Sequence, residues 1–190
     1  CNFFCIFPCC INLTIFNLPR LSVDIDLDLA INYDKDKMKE IREEITEILH
    51  KYMITNGYSL NLGSKSRYSL DSRVYSYINS GGNLDNIKIE INYSLRSHIY
   101  KPVKRAIVAD VTDTKMKVNT LNEIELFAAK LNALMNRAAV RDLYDVNNMI
   151  HYGLFDESHY RELRKCVVFY AVISAESINK KFKSDAIDMI

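Results

Sequence analysis

Val23-Asp24-Ile25-Asp26-Leu27-Asp28-Leu29 alternates strictly between apolar and carboxylate side chains. A period of two marks a strand, and this one should carry an apolar face and a carboxylate face. Just C-terminal to it, Met38, Ile41, Ile45, Ile48, Leu49 and Tyr52 recur at helical spacing with Lys, Arg and Glu between them. That spacing predicts an amphipathic helix, stopped by Asn56-Gly57. From about residue 58 to 118 the pattern turns strand-like again, at 58–62, 73–78, 87–95 and 103–111, with Gly, Ser and Asn clusters between the runs. These runs predict an antiparallel meander. After Asn119-Thr120 the chain reads as helical, with Ile124, Phe127, Leu131, Leu134 and Met135 on one apolar stripe and residues 166–178 on another. Thr120 with Glu123 has the spacing of a capping box.

A chain of 190 residues suits one domain, or a domain with a helical appendage, and excludes a two-lobed enzyme. Its 48% hydrophobic and 26% charged residues are those of a soluble globular protein. Lys and Arg number 25 against 24 Asp and Glu, so a basic surface can arise only by local clustering. Such a cluster lies between residues 64 and 105, where basic side chains outnumber acidic ones and Tyr68, Tyr75, Tyr77, Tyr93 and Tyr100 are interleaved. Phosphate backbones and unstacked bases call for that combination, and Lys101, Lys104 and Arg105 are its candidate RNA contacts. An ordinary sheet with charged edges is the competing explanation.

Four of the five cysteines, Cys1, Cys5, Cys9 and Cys10, fall in the first ten residues, with Cys166 far away. Neither a disulfide framework nor zinc spacing results, and a reducing, cytoplasmic compartment is expected. The apolar opening is too short to span a bilayer. It also lacks a starting Met, so the N-terminus reads as incomplete.

Asp24 and Asp26, two apart on one strand, leave the same face and repel unless a cation sits between them. A hard, oxygen-seeking ion such as Mg²⁺ or Mn²⁺ suits them, and a solvated strand face is the alternative. Asp28 continues that face as its solvated end. A second strand, Ile87-Lys88-Ile89-Glu90-Ile91-Asn92-Tyr93, carries Glu90 on its polar face and can supply a third carboxylate. Two carboxylates on one strand and a third on a neighbour form the two-metal arrangement of nucleotidyl transfer.

Three separated motifs carry a family resemblance. They are Leu18-Pro-Arg-Leu-Ser-Val-Asp-Ile-Asp-Leu-Asp28, then Ile-Lys-Ile-Glu90, then Glu125-Leu-Phe-Ala-Ala-Lys130 followed by Leu134, Arg137 and Arg141-Asp-Leu-Tyr-Asp145. Across residues 11–149 the sequence resembles the AbiEii/AbiGii nucleotidyltransferase toxins of the DNA polymerase beta superfamily. The resemblance implies an α+β fold, with a nucleotidyltransferase-type mixed sheet and flanking helices in residues 1–118 and a helical bundle closing the cleft in 119–190. It implies that Asp24, Asp26 and Glu90 are the catalytic, metal-binding acids. Lys130 would contact nucleotide phosphates, while Arg137, Arg141, Asp142 and Asp145 shape the helical side of the cleft. Ser22 offers either a hydroxyl near the triphosphate or a turn into the strand.

The activity implied is transfer of a nucleotidyl group from an NTP, with release of pyrophosphate, to an acceptor hydroxyl at a tRNA 3′ end. The implied setting is the toxin half of a prokaryotic toxin and antitoxin pair linked to phage defence, with a cognate antitoxin and no membrane. One departure matters. Family members carry a Gly-Gly-Thr or Gly-Ser signature where this chain has Phe7-Pro8-Cys9-Cys10, and Pro8 has no N–H to offer a phosphate. A catalytically impaired nucleotide- or RNA-binding relic is therefore the competing function, and opening residues foreign to the natural protein are the other explanation. A metal-dependent phosphohydrolase is disfavoured for want of His ligands, since His50, His98, His151 and His159 are scattered and read as surface or capping groups.

Lys130, Arg137 and Arg141 stand at i, i+7 and i+11, one cationic stripe if a single helix runs through them. Pairing with Asp142 or Asp145 on a solvated face is the plainer account.

Overall fold

The structure is a computed structural model that describes residues 3–5, 11, 14–16, 24–29, 31, 33–94, 97–108, 115–153 and 155–174. It is a mixed α+β fold of two units, divided at Thr120/Leu121, with Ile99–Val103 belonging to the second. The first unit holds β1 (Phe3–Cys5), β2 (Asp24–Leu29), α1 (Lys35–Thr55), β3 (Ser59–Leu60), β4 (Lys65–Ser66), β5 (Leu70–Ile78), β6 (Leu84–Asn92), β7 (Val103–Ala106) from Lys104 on, and β8 (Lys117–Thr120). Its sheet runs β3-β5-β6-β2-β1-β8-β7, with β4 also paired to β5.

The expected meander is only half right. β3, β4 and β6 do pair antiparallel with β5, but the far neighbour of β6 is β2, in parallel, and β7 lies beside β8 at the other edge. Burial explains the interruption. Ile25, Leu27 and Leu29 of β2 share a face with Ile87, Ile89 and Ile91 of β6, and both rows pack under α1 through Met38, Ile41, Ile45, Leu49 and Met53. Each such side chain taken out of water contributes about 1.5 to 3 kcal/mol. A period of two tells which face is apolar but not which strand lies alongside.

α1 forms where the sequence puts it. The Asp34 carboxylate accepts the Lys37 N–H at 2.9 Å as the N-cap, and Gly57, at φ +85°, makes the left-handed exit. The start of the helical unit needs correction. Thr120 ends β8 and is fully buried, so it is no cap. Asn122 takes that role, its side chain accepting the Ile124 N–H at 3.0 Å.

The helical unit contains α2 (Glu123–Arg137), α3 (Val140–His151), a 3-10 turn (Glu157–His159) and α4 (Tyr160–Ser174). Ala138 sits at φ 47°, ψ 45° and ends α2 at Arg137, so no single helix carries Lys130, Arg137 and Arg141. Glu125 is fully buried and accepts the Ile99 N–H at 2.9 Å, the Tyr100 N–H at 3.2 Å and the Tyr170 hydroxyl at 2.9 Å. One buried carboxylate thus ties the 99–103 strap to α2 and α4. Replacing Tyr170 with Phe should lower stability by about 1.5 to 3 kcal/mol, read in urea unfolding, because a charge-assisted hydrogen bond is lost.

Candidate functional site

The carboxylates come together through strand register. In the parallel pair of β2 and β6, Asp24 is opposite Lys88 and Asp26 is opposite Glu90. Opposed residues leave the sheet on the same side, one inter-strand spacing of about 4.8 Å apart. Behind them, the antiparallel register of β5 sets Ser72 opposite Glu90 and Val74 opposite Lys88. This polar face is the reverse of the one that α1 covers.

Electrostatics distinguish the two central acids. Burial, the Glu90 carboxylate and the Asp24 carboxylate together push Asp26 up to about 6, against the weaker pull of the Lys88 ammonium. Burial also pushes Glu90 up, but hydrogen bonds from Lys88 and Ser72 and the nearby ammonium outweigh it and hold Glu90 below the ordinary carboxylate range. Lys88 Nζ lies 2.8 Å from Glu90. The two acids thus titrate apart, Asp26 raised and Glu90 lowered, as repelling carboxylates in unequal surroundings do.

This donor set fits a hard divalent ion. Crowded, half-buried carboxylates whose charges repel are what such an ion relieves. Among the described residues, no group of three His, Cys, Asp or Glu side chains already stands in ligand geometry. Asp26 and Glu90 therefore offer a two-carboxylate seat, with Asp24 as a neighbouring charge.

The sequence signal missed two partners of this face. Ser72 reaches Glu90, yet Leu70-Asp71-Ser72-Arg73-Val74 is polar on both faces, so its periodicity does not reveal which side meets the acids. Asp28 is 2% exposed, not solvated, and its carboxylate is 3.8 Å from His98 Nε2, itself buried. His98 is accordingly neither a surface nor a capping group. Ser22 lies outside the described residues.

The remaining predicted residues fall in two places. In the helical unit Lys130 is 1% exposed, with Nζ 2.8 Å from Asp145 and 3.5 Å from Asp142. Arg137 donates to Asp142 through Nε at 2.6 Å and Nη2 at 2.9 Å, and Arg141 is exposed on α3. The pairing with Asp142 and Asp145 is real, but it is buried and not solvated. Any phosphate reaching Lys130 would share an ammonium already spent on two carboxylates. Lys104 and Arg105 are consecutive on β7 and so leave opposite faces; Lys101 precedes the strand. Tyr75 and Tyr93 are buried in the core under α1 and cannot stack bases, whereas Tyr68 is exposed.

Residues 9–186 match the family described as nucleotidyl transferase AbiEii toxin of type IV toxin-antitoxin systems. No curated protein shows a significant match. Among solved structures the fold is similar to that of JHP933 from Helicobacter pylori, 16% identical with a TM-score of 0.54 over 99% of this chain and 80% of that one. It is also similar to MenT4, a nucleotidyltransferase toxin from Mycobacterium tuberculosis, 16% identical with a TM-score of 0.64 over 97% of this chain and 62% of that one. Among the described residues no helix is long and apolar enough to cross a membrane.

Proposed function

The chain belongs to the AbiEii family of nucleotidyltransferase toxins, the toxin component of type IV toxin-antitoxin systems, and from that premise we propose a metal-dependent transfer of a nucleotidyl group from an NTP to the 3′ hydroxyl of an RNA, a tRNA in particular. The observation that carries the reading is the register of Asp26 opposite Glu90, with Asp24 on the same face.

In the reaction the acceptor hydroxyl oxygen forms a bond to the α-phosphorus. The bond from that phosphorus to the bridging oxygen breaks, and pyrophosphate leaves with the electron pair. Asp26 and Glu90, with Asp24 beside them, would hold Mg²⁺ or Mn²⁺, which supplies positive charge to the attacking and leaving oxygens. A carboxylate of this row takes the hydroxyl proton. Lys88 keeps Glu90 ionised and oriented, and Ser72 fixes it from the neighbouring strand. Lys130, Arg137, Arg141, Asp142 and Asp145 remain proposed contributors to nucleotide binding, as does Ser22, and Lys101, Lys104 and Arg105 to RNA binding. A cognate antitoxin follows from the family.

The test is incorporation of label from each NTP into total tRNA with Mg²⁺, with Mn²⁺ and with EDTA. Label that appears only with the metals supports the reading. Retained NTP or RNA binding with no label in any condition would point to the relic that Phe7-Pro8-Cys9-Cys10 suggests.

A further inference from the structure

The carboxylate row continues past Glu90. Across four adjacent strands, successive opposed residues are Asp26, Glu90, Ser72 and Lys65, all on one face of the sheet. At about 4.8 Å per strand, Lys65 stands roughly 10 Å from Glu90. A cavity of about 280 Å³ on this face is lined by Gly63, Lys65, Arg67, Ser72, Lys88 and Glu90, among others. Among the described residues its one carboxylate is matched by Lys88 at 2.8 Å, so the charges of Lys65 and Arg67 are left over.

These two side chains stand on a braced segment. Arg42 of α1 donates through Nη2 to Ser66 Oγ at 2.7 Å and through Nη1 to the Tyr68 carbonyl at 2.9 Å. Ser64 Oγ accepts the Val74 N–H at 3.0 Å and donates to the Val74 carbonyl at 3.3 Å. A two-residue edge strand is thus tied down on both sides of its cation, as a binding platform requires. Both cations are exposed and pay little desolvation when they meet an anion.

We propose that Lys65 and Arg67 hold phosphate groups of a nucleic-acid acceptor and lead its 3′ end along this row to Asp26 and Glu90. The assignment rests on the transfer reading above for what happens at the end of the lane. Phosphate is the shared chemistry of acceptor and donor, and position separates them. A triphosphate seated at Asp26 and Glu90 has the Lys88 ammonium beside it, whereas Lys65 and Arg67 lie two strands further along the row, the direction in which a polynucleotide would continue. Contacts of this kind set register without reading sequence.

The experiment compares the full chain with its Lys65→Ala/Arg67→Ala variant in two titrations, one of tRNA in EDTA across a salt series and one of ATP with Mg²⁺. The variant should bind tRNA roughly tenfold more weakly at low salt, and its slope of log affinity against log salt should be shallower by about 1.4 to 1.8, since each lost phosphate contact removes roughly 0.7 to 0.9. ATP affinity should stay within twofold, and the melting temperature should not move. An unchanged tRNA slope would overturn the proposal, and so would weakened ATP binding with tRNA binding intact, which would hand these cations to the donor. The two readings fail separately. A flattened slope in a protein that transfers no label keeps the lane and removes the reaction, while full transfer by a variant with an unchanged slope does the reverse.

Discussion

Asp26→Asn is expected to lower metal-dependent incorporation of label into tRNA by roughly a thousandfold or more while leaving the protein no less stable. Its carboxylate is pressed by burial, by Glu90 and by Asp24, and the amide keeps the shape while removing the repulsion. The sign of the stability effect follows from linkage. The folded carboxyl titrates near 6 against roughly 3.9 unfolded, so the folded state binds the proton more tightly and loses stability as pH rises through that interval. In EDTA at neutral pH the variant should therefore melt at the same temperature or slightly higher. Mg²⁺ should raise the melting temperature of the parent and not of the variant, because only the parent gains a ligand on folding. Asp24→Ala should likewise abolish incorporation. Transfer that survives either substitution would remove these carboxylates from the chemistry, and a large fall in melting temperature for Asp26→Asn would show that the crowding is not there.

The site was legible in the sequence where a period of two and a charge coincide. Alternation over 23–29 gives both the strand and the acidic face, and Glu90 stands on the polar row of a second strand. That Asp26 meets Glu90, in preference to any other carboxylate, depends on a parallel pairing that skips β3, β4 and β5. Long-range register of that kind is set by which apolar rows α1 can cover, and no local pattern records it. β4 and β8 are not legible because Lys65-Ser66 has no apolar residue and Lys117-Val118-Asn119-Thr120 has one, so neither shows a period. The Thr120 capping box failed because a buried strand end competes for the same residue, and Asn122 caps equally well. The motif around Lys130 picks out residues that do lie together, but Lys130 and Arg137 are engaged within the helical unit by Asp142 and Asp145 on α3.

Lys130→Ala should cost about 3 to 5 kcal/mol of stability, because it takes the ammonium at 2.8 Å from the buried Asp145 and one of the cations from the buried Asp142, in an interior that excludes water. Both carboxylates are essentially unexposed, and Lys130 sits between them at 3.5 and 2.8 Å. Asp142→Ala should be comparably severe, since it removes the shared acceptor of Lys130 and Arg137. Removing charge in pairs should be milder than removing it singly. Lys130→Met combined with Asp145→Leu should recover a good part of the loss, and the cycle of single and double variants would measure the coupling. The pH signature runs opposite to that of Asp26. Burial works against the Asp142 charge, but hydrogen bonds from Arg137 and the charges of Lys130, Arg137 and Arg141 prevail and hold it below the usual carboxylate range. A lowered folded value gives stability that is complete above the unfolded value of roughly 3.9 and is lost as pH falls through the folded one. Acid unfolding followed by circular dichroism should therefore show a transition below about pH 4 that is blunted in Asp142→Asn. A Lys130→Ala protein that melts like the parent but binds ATP weakly would make this lysine a phosphate ligand and not the centre of a buried ion network, whereas lowered melting with ATP affinity intact would make its part in the family motif architectural.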